Sequence, residues 1–217
     1  RRPHGGGRAR LAAVDELLRL QILTRDTNRL SADYGQLRFV QSVVRQVAYG
    51  MLSRHDRKAG HLATARYLDE HAEGATDIDA VIAQHYLDAL DAVPDDPGAP
   101  DLASKAIALL VRAADRAYSL GVPEDAAAHL KTALAHARDQ HVRADLQRQR
   151  ASALRDAGHY DEAVALATEA ADAFDELGDD VAAARAVAVS ARSLVQRGEV
   201  SSGLELARPR FEAMQGR

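Results

Sequence analysis

The sequence has no cysteine and no tryptophan, and its aromatic residues amount to only 4% of the 217 positions. Without cysteine, the chain has neither a disulfide framework nor a thiolate metal site. With so few aromatic residues, any core must be built from Ala, Leu and Val, within a hydrophobic fraction of 47%. Alanine lets backbones approach closely and has the best helix propensity, so this composition favours closely packed helices.

Long apolar segments are also missing. No apolar run reaches the roughly 18 residues of a membrane-spanning helix, and the first residues show no signal-peptide pattern. We therefore expect a cytoplasmic protein. Because the chain begins with Arg1 rather than Met, we also expect it to be a piece of a longer protein.

The motifs of common enzymes and metal sites are absent as well. The glycines of RRPHGGGRAR do not form a phosphate-binding loop, since no lysine precedes Lys58. There is no Gly-x-Ser-x-Gly and no His-Glu-x-x-His, and no two of the nine histidines have i, i+4 spacing. We expect no catalytic residue, no cofactor and no bound metal. The interpretation is that His85 and Tyr86 are partly buried structural residues, and that acidic residues such as Asp79 and Asp88 lie on solvated helix faces.

The net charge of −4 is distributed unevenly. Residues 1–60 contain 12 Arg and Lys against 5 Asp and Glu, whereas residues 61–100 contain 1 against 9. A basic segment of this kind can meet nucleic acid, nucleotide phosphates or an acidic neighbour. The alternative is that it faces the acidic segment that follows it in the chain.

The N-terminal quarter is predicted to mix helix and strand. Residues 1–10 are expected to be a flexible lead-in, followed by an amphipathic helix over 11–23, a β-hairpin over 28–40 and a helix over 41–52. The last of these helices is expected to bury Val43, Val44, Val47 and Met51. Helix, hairpin and helix together resemble a partial winged-helix segment over 11–54.

Helical periodicity continues beyond residue 54. Residues 55–93 are predicted to be a linking pair of helices, and PDDPGAP, residues 94–100, is a loop and the best internal boundary. Over 101–217 the spacing predicts six helices, at 101–120, 123–138, 141–157, 160–177, 179–197 and 200–214.

Three of the predicted turns repeat one pattern around Gly121, Gly158 and Gly198, which are 37 and 40 residues apart. Each glycine is expected to end a helix in the left-handed conformation. Small or apolar residues recur at fixed distances before and after these glycines, namely Ala114, Ala151, Ala191, Ala126, Ala163, Gly203, Leu130, Ala167, Ala207, Ala133 and Ala170. Small residues on both helices let a pair cross closely, which is typical of a helical-hairpin solenoid.

The segment GHYDEAVALATEA, residues 158–170, resembles a tetratricopeptide repeat, although the spacing exceeds that family's usual repeat of about 34 residues. LRFVQSVVRQVAYGML, residues 37–52, is similar to the stretch that follows the ATPase core in bacterial AAA/STAND-type regulators. Those multidomain proteins often carry a class III adenylate/guanylate cyclase domain and a C-terminal tetratricopeptide region. The resemblance covers roughly residues 11–210.

This resemblance implies a mainly α fold: a tetratricopeptide-like helical-hairpin solenoid, preceded by a partial winged-helix remnant with one small β-hairpin. It implies a non-catalytic protein-interaction and regulatory module that binds a partner, or another domain of the same parent, through the concave face of the repeats. Any catalysis of the parent would lie upstream of these residues.

In such arrays the first helix of each pair lines the groove. Mapped onto this sequence, the groove residues are Asp115, Tyr118, Arg148, Ser152, Arg155, Arg185 and Arg192. Four arginines favour an acidic segment or a terminal carboxylate, which guanidinium groups bind bidentately. The alternative is that they are ordinary arginines paired with Asp145, Asp156 or Glu169.

Two further functions stay open at this stage. The basic N-terminal part and its hairpin could belong to a nucleic-acid-binding fragment of a transcriptional regulator. Against this, the recognition helix would have to come from outside the chain, and aromatic residues for base stacking are scarce. The groove could also sense a small ligand.

Overall fold

The computed structural model describes residues 6–27, 35–71 and 78–215, and it divides the chain into two compact units, Arg1–Arg57 and Lys58–Arg217. Over those ranges the protein has ten helices and one antiparallel sheet of two strands. The prediction of a mainly α fold with one small pair of strands is thus confirmed. No helix in the described part of the chain has the length and apolar character needed to cross a membrane.

The first unit contains α1 (Gly6–Arg19), β1 (Leu23–Arg25), β2 (Leu37–Phe39) and α2 (Ser42–Met51). The second predicted strand and the helix after it are confirmed. The lead-in was predicted to extend too far, because α1 already begins at Gly6, where Arg and Ala supply good helix formers.

The first strand does not lie where the sequence predicted it. The first helix ends at Arg19, and Gln21, with a φ of 56°, turns the chain so that Leu23 pairs with Phe39. The end of the helix predicted over 11–23 is therefore a turn and the start of β1. The strand predicted from Asn28 and most of its turn lie outside the described residues.

The apolar side predicted for α2 is not buried. Val43, Val47 and Met51 are exposed, and Val44 is half-buried. None of the described side chains of this first unit is buried, so the described residues supply no core against which this face could pack.

From residue 54 onward the described residues are almost wholly helical. The elements are α3 (Arg54–His71), α4 (Ile78–Ala92), α5 (Ala99–Ser119), α6 (Pro123–His136), α7 (Gln140–Asp156), α8 (Tyr160–Glu176), α9 (Asp180–Arg197) and α10 (Val200–Gln215). The six helices predicted beyond residue 100 are confirmed to within a few residues. The predicted loop over 94–100 ends early, since α5 begins at Ala99. The helix can include Pro100 because N–H groups in the first turn have no partner within the helix, so the missing N–H of proline costs no hydrogen bond there.

Four of the turns between these helices share one geometry. At Gly158, which has a φ of 86°, the N–H donates to the carbonyl of Arg155 (3.0 Å) and the next N–H, of His159, donates to the carbonyl of Leu154 (2.8 Å). This is a Schellman motif, which satisfies the last carbonyls of a helix. The same two bonds and a positive φ are found at Gly121, Gly158, Gly178 and Gly198. Three of the four were predicted from the repeat, and Gly178 was not.

From α4 to α10, each helix packs on the next along the chain, and α7 also contacts α9 directly. Arg197, at the end of α9, pairs with Asp161 in the first turn of α8, so these two helices run in opposite directions. The small or apolar residues predicted at the seams are buried in the first two copies of the repeat, namely Ala114, Ala126, Leu130, Ala133, Ala151, Ala163, Ala167 and Ala170.

The third copy departs from the other two, as its sequence suggests. Gly203 of α10 lies so close to α9 that a Cβ added to it would meet the carbonyl oxygen of Ala191 at 2.7 Å. Arg210, which replaces the small residue of the pattern, instead forms an ion pair with Asp175. Pro209 lies inside α10 and removes one of its backbone donors.

Candidate functional site

Three of the predicted groove residues meet near the C-terminal ends of α5, α7 and α9. The hydroxyl of Tyr118, from α5, donates a hydrogen bond to Asp156, the last residue of α7. Arg155 donates from Nε to Asp156 Oδ1 (2.8 Å) and from Nη2 to Asp156 Oδ2 (3.0 Å). The charge of Arg192, from α9, acts on both Arg155 and Asp156. We refer to Tyr118, Arg155, Asp156 and Arg192 as the arginine cluster.

The charges of the cluster do not cancel. Burial lowers the pKa of Arg155, whose side chain is only 6% exposed, and the nearby positive charge of Arg192 lowers it further. Burial also raises the pKa of Asp156, an effect that the charge of Arg192 opposes. One carboxylate thus faces two guanidinium groups and receives hydrogen bonds from one of them. With Asp156 and both arginines ionised, the cluster has a net charge of +1.

The two predicted groove arginines on α7 are engaged within their own helix. Arg148 donates from Nε and Nη2 to Asp145 Oδ1, at 3.0 and 2.7 Å. Ser152 donates from its hydroxyl to the backbone carbonyl of Arg148 (3.2 Å). Arg148 and Arg155 therefore have the acidic partners that the alternative interpretation assigned to them, Asp145 and Asp156.

The two predicted groove arginines on α9 differ from those on α7. Arg185 and Arg192 are exposed, and neither forms an ion pair or a hydrogen bond with any side chain of the described residues. The same is true of the carboxylate of Asp115, on α5. Glu169, the third acidic partner considered, accepts a hydrogen bond from Gln147 rather than from an arginine.

The sequence did not predict that Asp156 is the centre of the arginine cluster. The prediction that Asp79 lies on a solvated helix face is wrong. Asp79 is in fact buried on α4 and accepts from Nε (3.2 Å) and Nη2 (2.6 Å) of Arg112 on α5. This bond raises the pKa of Arg112. A buried carboxylate needs such a partner, but no local pattern predicts one that lies 33 residues away.

A comparison with protein-family models finds none that matches this chain, and a search among curated proteins finds no match. The resemblance to tetratricopeptide regions of bacterial signalling proteins stays a prediction from the sequence. The helix pairs and the arginine cluster are the observations on which a function can be proposed.

Proposed function

We propose that residues 101–217 form a tetratricopeptide-like solenoid and that the chain is a non-catalytic interaction and regulatory module of a larger bacterial signalling ATPase or nucleotide cyclase. The module binds an acidic segment of a partner, or of another domain of its parent, through the surface formed by α5, α7 and α9. The N-terminal unit is the remnant of a winged-helix domain.

One observation carries the binding proposal. Tyr118 of α5 and Arg155 of α7 donate to Asp156, and α9 adds Arg185 and Arg192, which are exposed and form no ion pair with any described carboxylate. Every second helix thus contributes to one surface, as expected where the first helix of each pair lines a groove. Arg148 and Arg155 already bind acidic residues of α7, so a ligand would be held chiefly by Arg185 and Arg192.

The spacing of these two arginines defines the ligand more closely. Seven residues of an α-helix span about 10.5 Å, and i, i+7 residues share a face. In the polyproline II conformation, which has three residues per turn, side chains at i and i+3 share a face and are about 9.3 Å apart, since each residue adds about 3.1 Å. The ligand is therefore an acidic segment in this conformation with Asp or Glu at i and i+3, each carboxylate facing one guanidinium group.

The experiment measures fluorescence anisotropy of a labelled peptide with two Asp residues three positions apart, at low and at physiological salt. The Arg185→Glu/Arg192→Glu variant is expected to weaken binding by about tenfold or more, because charge-assisted hydrogen bonds of about 1.5–3 kcal/mol each are lost. The matched control is Lys131→Glu/Arg208→Glu, which makes the same change in net charge at exposed positions on α6 and α10, the second helices. A peptide with Asn in place of both Asp should bind weakly to every form.

Equal loss of affinity in both double variants would contradict the proposal, since net charge and not the α9 surface would then set binding. A second arm uses duplex DNA in place of the peptide. A salt-dependent shift with DNA, together with no binding of the acidic peptide, would instead favour a nucleic-acid-binding fragment with the basic N-terminal part as its contact.

A further inference from the structure

Two histidines and an aspartate meet between α3 and α4, outside the arginine cluster. His61 lies on α3, and His85 and Asp88 lie on α4. The Nδ1 atoms of the two histidines are 3.1 Å apart, and His61 Nδ1 is 3.4 Å from Asp88 Oδ2. One ring nitrogen of each histidine and a carboxylate oxygen all lie within 4.8 Å of one another, and all three residues are half-buried. We refer to them as the histidine cluster.

These separations suit one metal ion. Zinc binds His nitrogen at about 2.0–2.1 Å and carboxylate oxygen at about 2.0–2.2 Å in a tetrahedron, which places neighbouring ligand atoms about 3.3–3.5 Å apart. The observed 3.1 and 3.4 Å lie close to that value, so the three groups need only small rotations to share an ion. Imidazole and carboxylate together form the nitrogen and oxygen ligand set that zinc accepts.

A neighbouring side chain orients one of the proposed metal ligands. Gln84 donates from Nε2 to Asp88 Oδ1 (2.7 Å), which fixes the carboxylate and leaves Oδ2 directed at His61. Burial lowers the pKa of His85 and the neighbouring His61 lowers it further, while Asp88 raises it. Fixing of a ligand by a hydrogen-bonded neighbour is a general feature of metal sites.

We propose that His61, His85 and Asp88 form a zinc site that fastens α3 to α4, with water as the fourth ligand. When the two Nδ1 atoms hydrogen-bond to each other, one of them carries a hydrogen. Zinc takes the place of that hydrogen, and the ring that carried it changes to the tautomer with hydrogen on Nε2. The sequence did not predict this site, because a histidine pair at i, i+4 lies on one helix, whereas this site takes one histidine from each of two helices.

The test is a zinc titration of the whole chain, without an affinity tag, in competition with a chromogenic chelator. The wild type is expected to bind one zinc ion and to melt at a higher temperature with zinc than with EDTA. His61→Gln and Asp88→Asn should each weaken binding by at least about tenfold and abolish the zinc-dependent rise in Tm. Gln84→Ala, which removes only the fixing hydrogen bond, should weaken it by about tenfold.

The matched control is His159→Gln, because His159 is exposed and makes no side-chain hydrogen bond at its helix cap. It should bind zinc like the wild type. Melting in EDTA shows whether each variant is folded, and Co²⁺ in place of zinc gives the intense visible absorption of a tetrahedral site. Zinc binding that persists in His61→Gln and Asp88→Asn would overturn the proposal, as would a wild type that shows no saturable binding at micromolar zinc.

Discussion

Replacing Gly203 with alanine tests how closely α10 packs on α9. In an open helix, Gly→Ala stabilises a protein by about 0.8–1.0 kcal/mol through helix propensity. At Gly203, however, the new Cβ would lie 2.7 Å from the carbonyl oxygen of Ala191 and 2.9 Å from Cγ2 of Val195. The side chain of Val195 can rotate, but the carbonyl belongs to the backbone of α9, so α10 must move away from it. Overpacking of this kind costs about 1–3 kcal/mol.

Gly60→Ala supplies the matched control for this prediction. Gly60 lies inside α3, and a Cβ added there meets nothing within 4 Å. It should therefore gain the full propensity effect, and the two variants should differ by the overpacking cost of about 1–3 kcal/mol. Thermal unfolding followed by circular dichroism can resolve this, because 1 kcal/mol shifts Tm by about 2–4 °C in a protein of this size. Gly203→Ala raising Tm as much as Gly60→Ala would refute the close packing of α10.

Three further predictions concern single side chains of the repeat region. Phe174 is fully buried, so Phe174→Ala should reduce the free energy of unfolding by about 3–5 kcal/mol in urea titrations, and a loss under 1 kcal/mol would contradict its place in the core. Asp139 accepts the N–H of Val142 (2.9 Å) as the N-cap of α7, so Asp139→Ala should cost about 1 kcal/mol in the same assay while Asp139→Asn stays near the wild type. A hydrogen bond from the N–H of Ala182 and, to a smaller extent, one from His141 lower the pKa of Asp179. The ionised Asp179 carboxylate therefore stabilises the folded state above the unfolded-state pKa of about 3.9, and this stabilisation is lost as the pH falls through the lower folded-state pKa. Melting curves from pH 6 to pH 2 should show a smaller acid-induced loss in Asp179→Asn, and an unchanged loss would contradict this role.

The helices and turns of residues 101–217 could be predicted because their signals are local. A 3.6-residue apolar period and a glycine with positive φ depend on residues within one or two turns of each other. The position of β1 could not be predicted in this way. The segment after Arg19 is apolar enough to continue a helix, and only its pairing with β2, through Leu23 and Phe39, decides for a strand.

The contacts of the candidate sites could likewise be predicted only where they join residues that are close in sequence. The pairing of Arg148 with Asp145 joins i and i+3 positions of one helix and was among the alternatives read from the sequence. The bond between Tyr118 and Asp156 spans 38 residues, and it depends on which faces of two helices meet. The approach of His61 to His85 depends in the same way on how α3 and α4 meet. Neither contact can be predicted from the spacing of residues along the sequence.

The packing of each helix from α4 to α10 on its immediate neighbours also bears on how the chain folds. Contacts between segments close in sequence require only short loops to be closed, and proteins rich in such contacts fold quickly. During synthesis, a helix pair such as α5 and α6 can therefore assemble as soon as both have left the ribosome, long before α10 exists. Each later helix can then pack on a neighbour that is already in place, so folding can spread along the chain from repeat to repeat.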